Sequence, residues 1–184
     1  MKRLLFIVGS FHENGFNYQL AKQVERSIGD RAYVDYLDYS TIPFFRQEDM
    51  YPCPPDVEDV RKKIDDVDAL WVFTPEYNGS YPGVVKNLFD WLSISLDPHN
   101  SRGESIIHAK KTAVAGIGGN TAARAREEMG VLLDFIRTYV CHDAGFGITP
   151  RREEWATGLI EFSEETQRDI HKHVDIFLDF LDEG

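Results

Sequence analysis

Three short segments of this 184-residue chain combine glycine, hydroxyl, amide and aromatic residues in patterns that could hold a ligand. The first is Gly9-Ser10-Phe11-His12-Glu13-Asn14-Gly15-Phe16-Asn17, between an apolar run and an amphipathic one. Its glycines let backbone approach a ligand closely, and its Ser and Asn side chains can hydrogen-bond an oxyanion. The N-terminus of the following helix adds unpaired N–H groups at a positive dipole end. That chemistry suits a phosphate. The segment is not a G-x-G-x-x-G dinucleotide fingerprint, and no Walker lysine follows. Standing alone, it reads equally as an ordinary strand-to-helix turn with Asn17 near the cap.

The second segment is Thr74-Pro75-Glu76-Tyr77-Asn78-Gly79-Ser80-Tyr81-Pro82, stiffened by prolines near both ends. Backbone amides there can face the polar edge of a planar heterocycle while a tyrosine packs nearby. The third, Gly116-Ile117-Gly118-Gly119-Asn120, permits close approach of a ring face or a polyol chain. Each segment has a plain reading as a tight turn. Together they carry more, because each follows a predicted strand and so falls on one edge of a sheet.

Other chemistries find less support. The six histidines (His12, His99, His108, His142, His171 and His173) form no H-E-x-x-H or comparable ligand pair. Ser10 lacks the G-x-S-x-G elbow of a serine hydrolase. Cys53 and Cys141 are far apart, without metal-ligand spacing, and two free thiols suit a reducing cytoplasm.

The elements that must position these segments follow from periodicity. Leu4 to Val8 is a continuous apolar run, as expected of a parallel strand buried on both faces. Leu20, Ala21, Val24 and Ile28 recur at helical spacing between Asn17 and Gly29. Further strands are predicted at Arg31–Leu37, Ala69–Phe73, Thr112–Ala115 and Thr138–His142. Further helices are predicted at Val57–Val67, from Pro82 through Leu92, at Thr121–Phe135, and after Ser163 with Glu164 and Glu165 in its first turn. Strands alternating with helices predict one α/β domain over residues 1–184, a three-layer sandwich with helices on both faces. Five strands and five helices fit the flavodoxin-like parallel order 2-1-3-4-5. In that order, ligands bind beyond the carboxyl ends of the strands, between the first and third.

Composition narrows the partners. Lys and Arg total 20 against 31 Asp and Glu, a net charge of −11, which argues against binding a nucleic-acid backbone. An anionic ligand must then be held by local features rather than by the overall field. The apolar run after Met1-Lys2-Arg3 is too short for a signal peptide and no run reaches a bilayer-spanning length, so a cytoplasmic protein without membrane insertion is expected.

These residues resemble the NADPH-dependent FMN reductase family, which includes quinone, chromate and azo-dye reductases. The family pattern G-S-x-R-x-x-S-x-N stands here as Gly9-Ser10, His12, Gly15 and Asn17. The pattern P-E-Y-N followed by P-x-x-x-K-N-x-x-D-W is matched by Pro75-Glu76-Tyr77-Asn78 and by Pro82, Lys86, Asn87, Asp90 and Trp91. Gly116, Gly118 and Gly119 match the glycine-rich flavin loop. His12 and Gly15 depart from the pattern, removing a bidentate cation and one hydroxyl donor from the phosphate end.

The resemblance implies FMN as cofactor and NADPH or NADH as reductant, with a small-molecule electron acceptor reduced in ping-pong fashion. It implies that Ser10, His12, Gly15 and Asn17 surround the phosphate, with Phe16 also among the cofactor-binding residues. Pro75, Glu76, Tyr77 and Asn78 would border the isoalloxazine, with backbone donors from Glu76 to Asn78 tuning it, and Gly116, Gly118 and Gly119 would back its other edge. No side chain is assigned a catalytic role. Phe44, Phe45, Tyr51 and the Ser95–Glu104 loop are candidate walls on the substrate side. The family is typically dimeric, which implies a homodimer or a dimer of dimers. A flavodoxin-type electron carrier, or a flavin-free member of the fold, are the alternative readings.

Overall fold

A computed structural model describes residues 1–183. Six strands form one parallel sheet: β1 (Lys2–Val8), β2 (Ala32–Tyr36), β3 (Ala69–Phe73), β4 (Lys111–Ile117), β5 (Tyr139–Val140) and β6 (Phe146–Ile148). The order is β2-β1-β3-β4-β5, with β6 also beside β4. The helices are α1 (Phe16–Ile28), α2 (Pro55–Asp65), α3 (Gly83–Leu92), α4 (Ala123–Phe135), α5 (Arg152–Thr157) and α6 (Glu164–Asp182). Among the described residues, no helix is long and apolar enough to cross a membrane.

Strand alternation sorts the core into two layers, because successive side chains point to opposite faces. Leu4 and Phe6 of β1, with Trp71 and Phe73 of β3, pack against Leu20 and Val24 of α1 and Ile170, Val174 and Phe177 of α6. Leu5 and Ile7, with Leu70 and Val72, face Ile64 of α2, Leu88 of α3 and Met129 of α4. All five residues of β3 are buried, which explains why that strand reads as an unbroken apolar run.

Two expectations change. The predicted fifth strand, Thr138–His142, is cut back to Tyr139–Val140, and a further strand follows it. β5 pairs Tyr139 with Lys111, a short helical turn at His142–Ala144 interrupts it, and β6 resumes by pairing Phe146 with Ala115. The edge of the sheet is therefore two short pieces, so six strands replace the predicted five. A sixth helix, α5, occupies a stretch that carries no helical periodicity long enough to recognise. Ser163 does cap α6 as predicted, its Oγ accepting from Thr166 N at 3.1 Å.

The carboxyl ends of β1, β3 and β4 set the site. Lateral support comes from α3, where Asn87 Oδ1 accepts from Phe45 N (2.8 Å) and Asn87 Nδ2 donates to Pro43 O (2.9 Å). Trp91 Nε1 donates to the same carbonyl at 2.8 Å. Two residues of the K-N-x-x-D-W pattern thus serve to moor the loop after β2.

Candidate functional site

The first loop crosses the second where β1 ends. Gly9 N donates to Phe73 O at 2.8 Å, and a Cβ on Gly9 would lie 3.0 Å from Val85 Cγ2 and 3.2 Å from both Phe73 O and Pro75 Cδ. Only glycine lets the two loops approach this closely. The chain then folds back, with His12 N donating to Ser10 Oγ (3.2 Å) and Gly15 N to His12 O (2.9 Å). At the start of α1, Gly15 supplies no side-chain cap and the first turn contains no acidic residue. The earliest backbone bond there is Gln19 N to Gly15 O at 3.0 Å, so the N–H groups of the first turn remain open. They form an anion-binding end in a protein of net negative charge.

Asn17 lines the cleft beside that turn, but its amide is already spoken for. Asn17 Nδ2 donates to Ile117 O (3.1 Å) and Asn17 Oδ1 accepts from Ile117 N (2.9 Å). Buried at 4% exposure, this side chain clamps the end of β4 onto α1.

The second loop is a rigid platform. Tyr77 N donates to Ser80 O (2.8 Å), Ser80 N returns to Tyr77 O (3.2 Å), and Asn78 and Gly79 between them have φ of 54° and 77°. This left-handed pair is the mirror-image turn that tight hairpins favour. Two carboxylates tie it to α4: the loop's own Glu76 accepts at Oε2 from Ala125 N (3.3 Å), and Glu128 of α4 accepts at Oε2 from Ser80 Oγ (2.6 Å). The Tyr77 amide is thus committed inside the turn and is not a donor toward the cleft, contrary to the expectation for Glu76–Asn78. No acceptor among the described residues takes the Glu76 N–H.

The third loop separates its glycines by role. Gly116 lies within β4, where a Cβ would sit 2.5 Å from Thr74 O, so it serves strand packing and does not line the cleft. Gly118 is fully extended, and a Cβ there would lie 3.3 Å from Ala122 Cβ and 3.6 Å from Glu76 N. Its missing side chain therefore leaves space in front of the open Glu76 amide. Asn120, Thr121 and Ala122 follow with φ of 49°, 59° and 49°. Left-handed backbone costs roughly 1–2 kcal/mol per non-glycine residue, so this turn stores strain beside the cleft. It also delays α4 from the expected Thr121 to Ala123. Arg126 Nε on Thr121 O (2.9 Å) and Thr149 Oγ1 accepting from Thr121 N (2.8 Å) hold it in place. A Cβ on Gly147 would lie 2.1 Å from Thr121 O, so that glycine makes room for the clasp.

Between these loops lies a cavity of about 280 Å³. Ser10, His12, Gly15, Phe16 and Asn17 form one wall, and Pro75, Glu76 and Tyr77 with Gly118 and Gly119 form the other. Gly116 and Asn78, also expected here, stand outside the lining. Of the substrate-side candidates, Phe45 packs edge-on against Trp91 at 5.0 Å, while Phe44 is 81% exposed and Tyr51 is tied to Ser95 O through its hydroxyl (2.6 Å).

Asn14 and Ile117, which lie within the first and third segments, also line the cavity, as do Trp155 and Gly158, which sequence reasoning missed. Trp155 rides on α5, whose first turn carries a capping box. Arg151 N donates to Glu154 Oε2 (2.6 Å), while Arg151 Nη2 reaches both Glu154 Oε1 and Glu161 Oε2 at 2.9 Å. Gly158, with φ of 72°, ends the helix. A clue was present in Arg151-x-x-Glu154 and Gly158 bracketing six residues. Gln19 staples this segment to the first loop, its Nε2 donating to Asn14 O (2.8 Å) and Gly158 O (2.7 Å) and its Oε1 accepting from Ile160 N (2.9 Å).

Hydrogen bonding to Arg151 holds the Glu154 carboxyl down at about 2. Because the folded value lies below the ordinary one, the stabilisation is present above the usual glutamate range and is lost as pH falls toward 2. The cleft wall is therefore expected to loosen between about pH 4.5 and 2. A red shift of Trp155 emission should report it, and Glu154→Gln should show the loosened emission already at neutral pH.

The sequence pattern of NADPH-dependent FMN reductases matches residues 2–150, most of the chain and all three cleft loops. The chain belongs to the NADPH-dependent FMN reductase family. Among curated relatives of this reductase, a 2-hydroxy-1,4-benzoquinone reductase from a Burkholderia species is 29% identical over 151 residues, 77% of this chain and 79% of that one. A quinone reductase of Escherichia coli K12 is 28% identical over 165 residues, 86% of this chain and 84% of that one. Among solved structures, FerB, a flavoenzyme NAD(P)H:(acceptor) oxidoreductase from Paracoccus denitrificans, superposes with a TM-score of 0.85 at 26% identity, covering 98% of this chain and 97% of that one. A flavodoxin, WrbA-like protein of Agrobacterium tumefaciens, at TM-score 0.62 and 12% identity, shares the fold. The reductase family match spans β1 through β6 and stops at Pro150, just before α5, so Trp155 lies outside it.

Proposed function

We propose that this chain is an FMN-dependent NAD(P)H oxidoreductase that passes electrons to a small acceptor such as a quinone or free flavin. One observation carries the reading: an uncapped helix N-terminus and a glycine-cleared backbone N–H open onto the same cavity. A phosphorylated, planar heterocycle needs both. When bound, FMN supplies a hydride acceptor that can afterwards give up its electrons to a second substrate.

The chain's own residues supply position and polarity. The first turn of α1, with Ser10 and His12 beside it, would hold the phosphate. Asn17 fixes the distance between that turn and the third loop. Pro75 and the Tyr77 ring, 53% exposed, would flank the heterocycle, while the Glu76 N–H would meet its polar edge. Glu76's carboxylate is turned away to α4, which keeps a negative charge off the ring.

The exposed face of α4 suits a second copy of the chain. Val131 and Phe135 are 65% and 83% exposed there, and they stand next to Tyr81. A homodimer formed on this face would set the partner beside the residues that brace the second loop.

One open cavity that serves reductant and acceptor in turn requires ping-pong kinetics. With NADPH varied at several fixed quinone concentrations, double-reciprocal plots of initial rate are expected to be parallel. Intersecting lines would mean that both substrates bind together and would overturn the shared-cavity account.

A further inference from the structure

The sequence pattern shared with the family ends at Pro150, yet the cavity wall continues onto α5. Trp155 stands there 54% exposed, its one aromatic contact among the described residues being Phe16 at 5.1 Å and an interplanar angle of 76°. Burying an indole is among the more favourable things a chain can do. Here it is instead held open, on a six-residue helix fixed by the Arg151–Glu154–Glu161 network and by Gln19. The rigidity points to a surface kept in place rather than a side chain left over.

Its position says what it would contact. Phe16 is the first residue of α1, so the indole packs on the side chain that opens that turn, and both line the same cavity. A flavin mononucleotide terminates at its phosphate and leaves this aromatic surface beyond it. His12 is exposed, Gly15 carries no side chain, and among the described residues the cavity lining holds no arginine.

We propose that the site accepts FAD as well as FMN, with the adenosine extending past the phosphate to stack on Trp155. This rests on the flavin reading above. Stacking on an aromatic side chain tolerates any base and is worth about tenfold or more in affinity.

The test is calorimetric titration of the flavin-free protein with FMN and with FAD, in wild type, Trp155→Ala and Trp155→Phe. Wild type is expected to bind FAD within about tenfold of FMN. The ratio of FAD to FMN affinity should fall about tenfold in W155A and be largely restored in W155F. Two results would overturn the proposal while leaving the FMN reading intact: FMN binding with FAD rejected by wild type, or W155A weakening both flavins equally. Failure of wild type to bind either flavin would overturn both.

Discussion

Gly118→Val is expected to weaken FMN binding at least about a hundredfold, a loss of about 2.7 kcal/mol, while leaving the fold intact. The backbone at Gly118 is fully extended, which any L-residue adopts, so the substitution introduces no left-handed strain. The new Cβ would lie 3.3 Å from Ala122 Cβ, a contact that a small shift relieves. Its two methyls would occupy the space in front of Glu76 N, where the account puts the polar edge of the heterocycle. Gly118→Ala should fall between wild type and valine. Equilibrium titration of flavin fluorescence measures the affinities, and thermal unfolding without ligand, within a few degrees of wild type, checks the fold. A comparable substitution at Gly116 should instead disrupt folding, because its Cβ meets a strand carbonyl at 2.5 Å.

Asn17→Ala should cost stability and ligand together. Its amide pairs both the N–H and the C=O of Ile117 in a buried setting, and alanine leaves both unpartnered. At about 1–3 kcal/mol for each stranded group, a loss of about 3 kcal/mol is expected. For a chain of this size that lowers the midpoint of thermal unfolding by roughly 6–12 °C. FMN affinity should fall as well, since the clamp sets the spacing between α1 and the third loop. Differential scanning calorimetry of the flavin-free variant separates the first effect from the second. A midpoint unchanged from wild type would mean that the clamp does not support the site.

These two residues also mark where sequence reasoning stops. The alternation of apolar runs with amphipathic ones was enough for the α/β class, because buried parallel strands and their crossover helices leave strong periodic signals, and the strand order followed from fitting them to a flavodoxin-like sheet. The three turns were legible as cleft-forming for the same reason: each follows a strand whose end was visible. The function of an individual residue inside a turn was not. Gly116 and Gly118 look alike in sequence, and only the Thr74 carbonyl against one and the Glu76 amide before the other distinguish them.

Asn17 belongs to a motif associated with phosphate, yet its bonds run to a residue a hundred positions away. The Tyr77 amide looked available until the turn closed on Ser80. A contact across a hundred positions has no local signature, whereas Asn78-Gly79 is a local sign of the turn that closes Tyr77 on Ser80. Three consecutive left-handed residues at Asn120 to Ala122 likewise defy propensity, and they persist because Arg126 and Thr149 hold them. Trp155 was missed because α5 is too short for its periodicity to register.

The central claim is that the cleft holds FMN and exposes it to a nicotinamide. The most direct measurement is the visible spectrum of the purified protein with FMN, followed by anaerobic addition of NADPH. Bound flavin should show a shifted, structured absorption band, and NADPH should bleach it, with a quinone restoring the colour. A bound flavin that NADPH leaves oxidised would indicate an electron carrier instead, and FMN that stays free at micromolar protein would contradict the account.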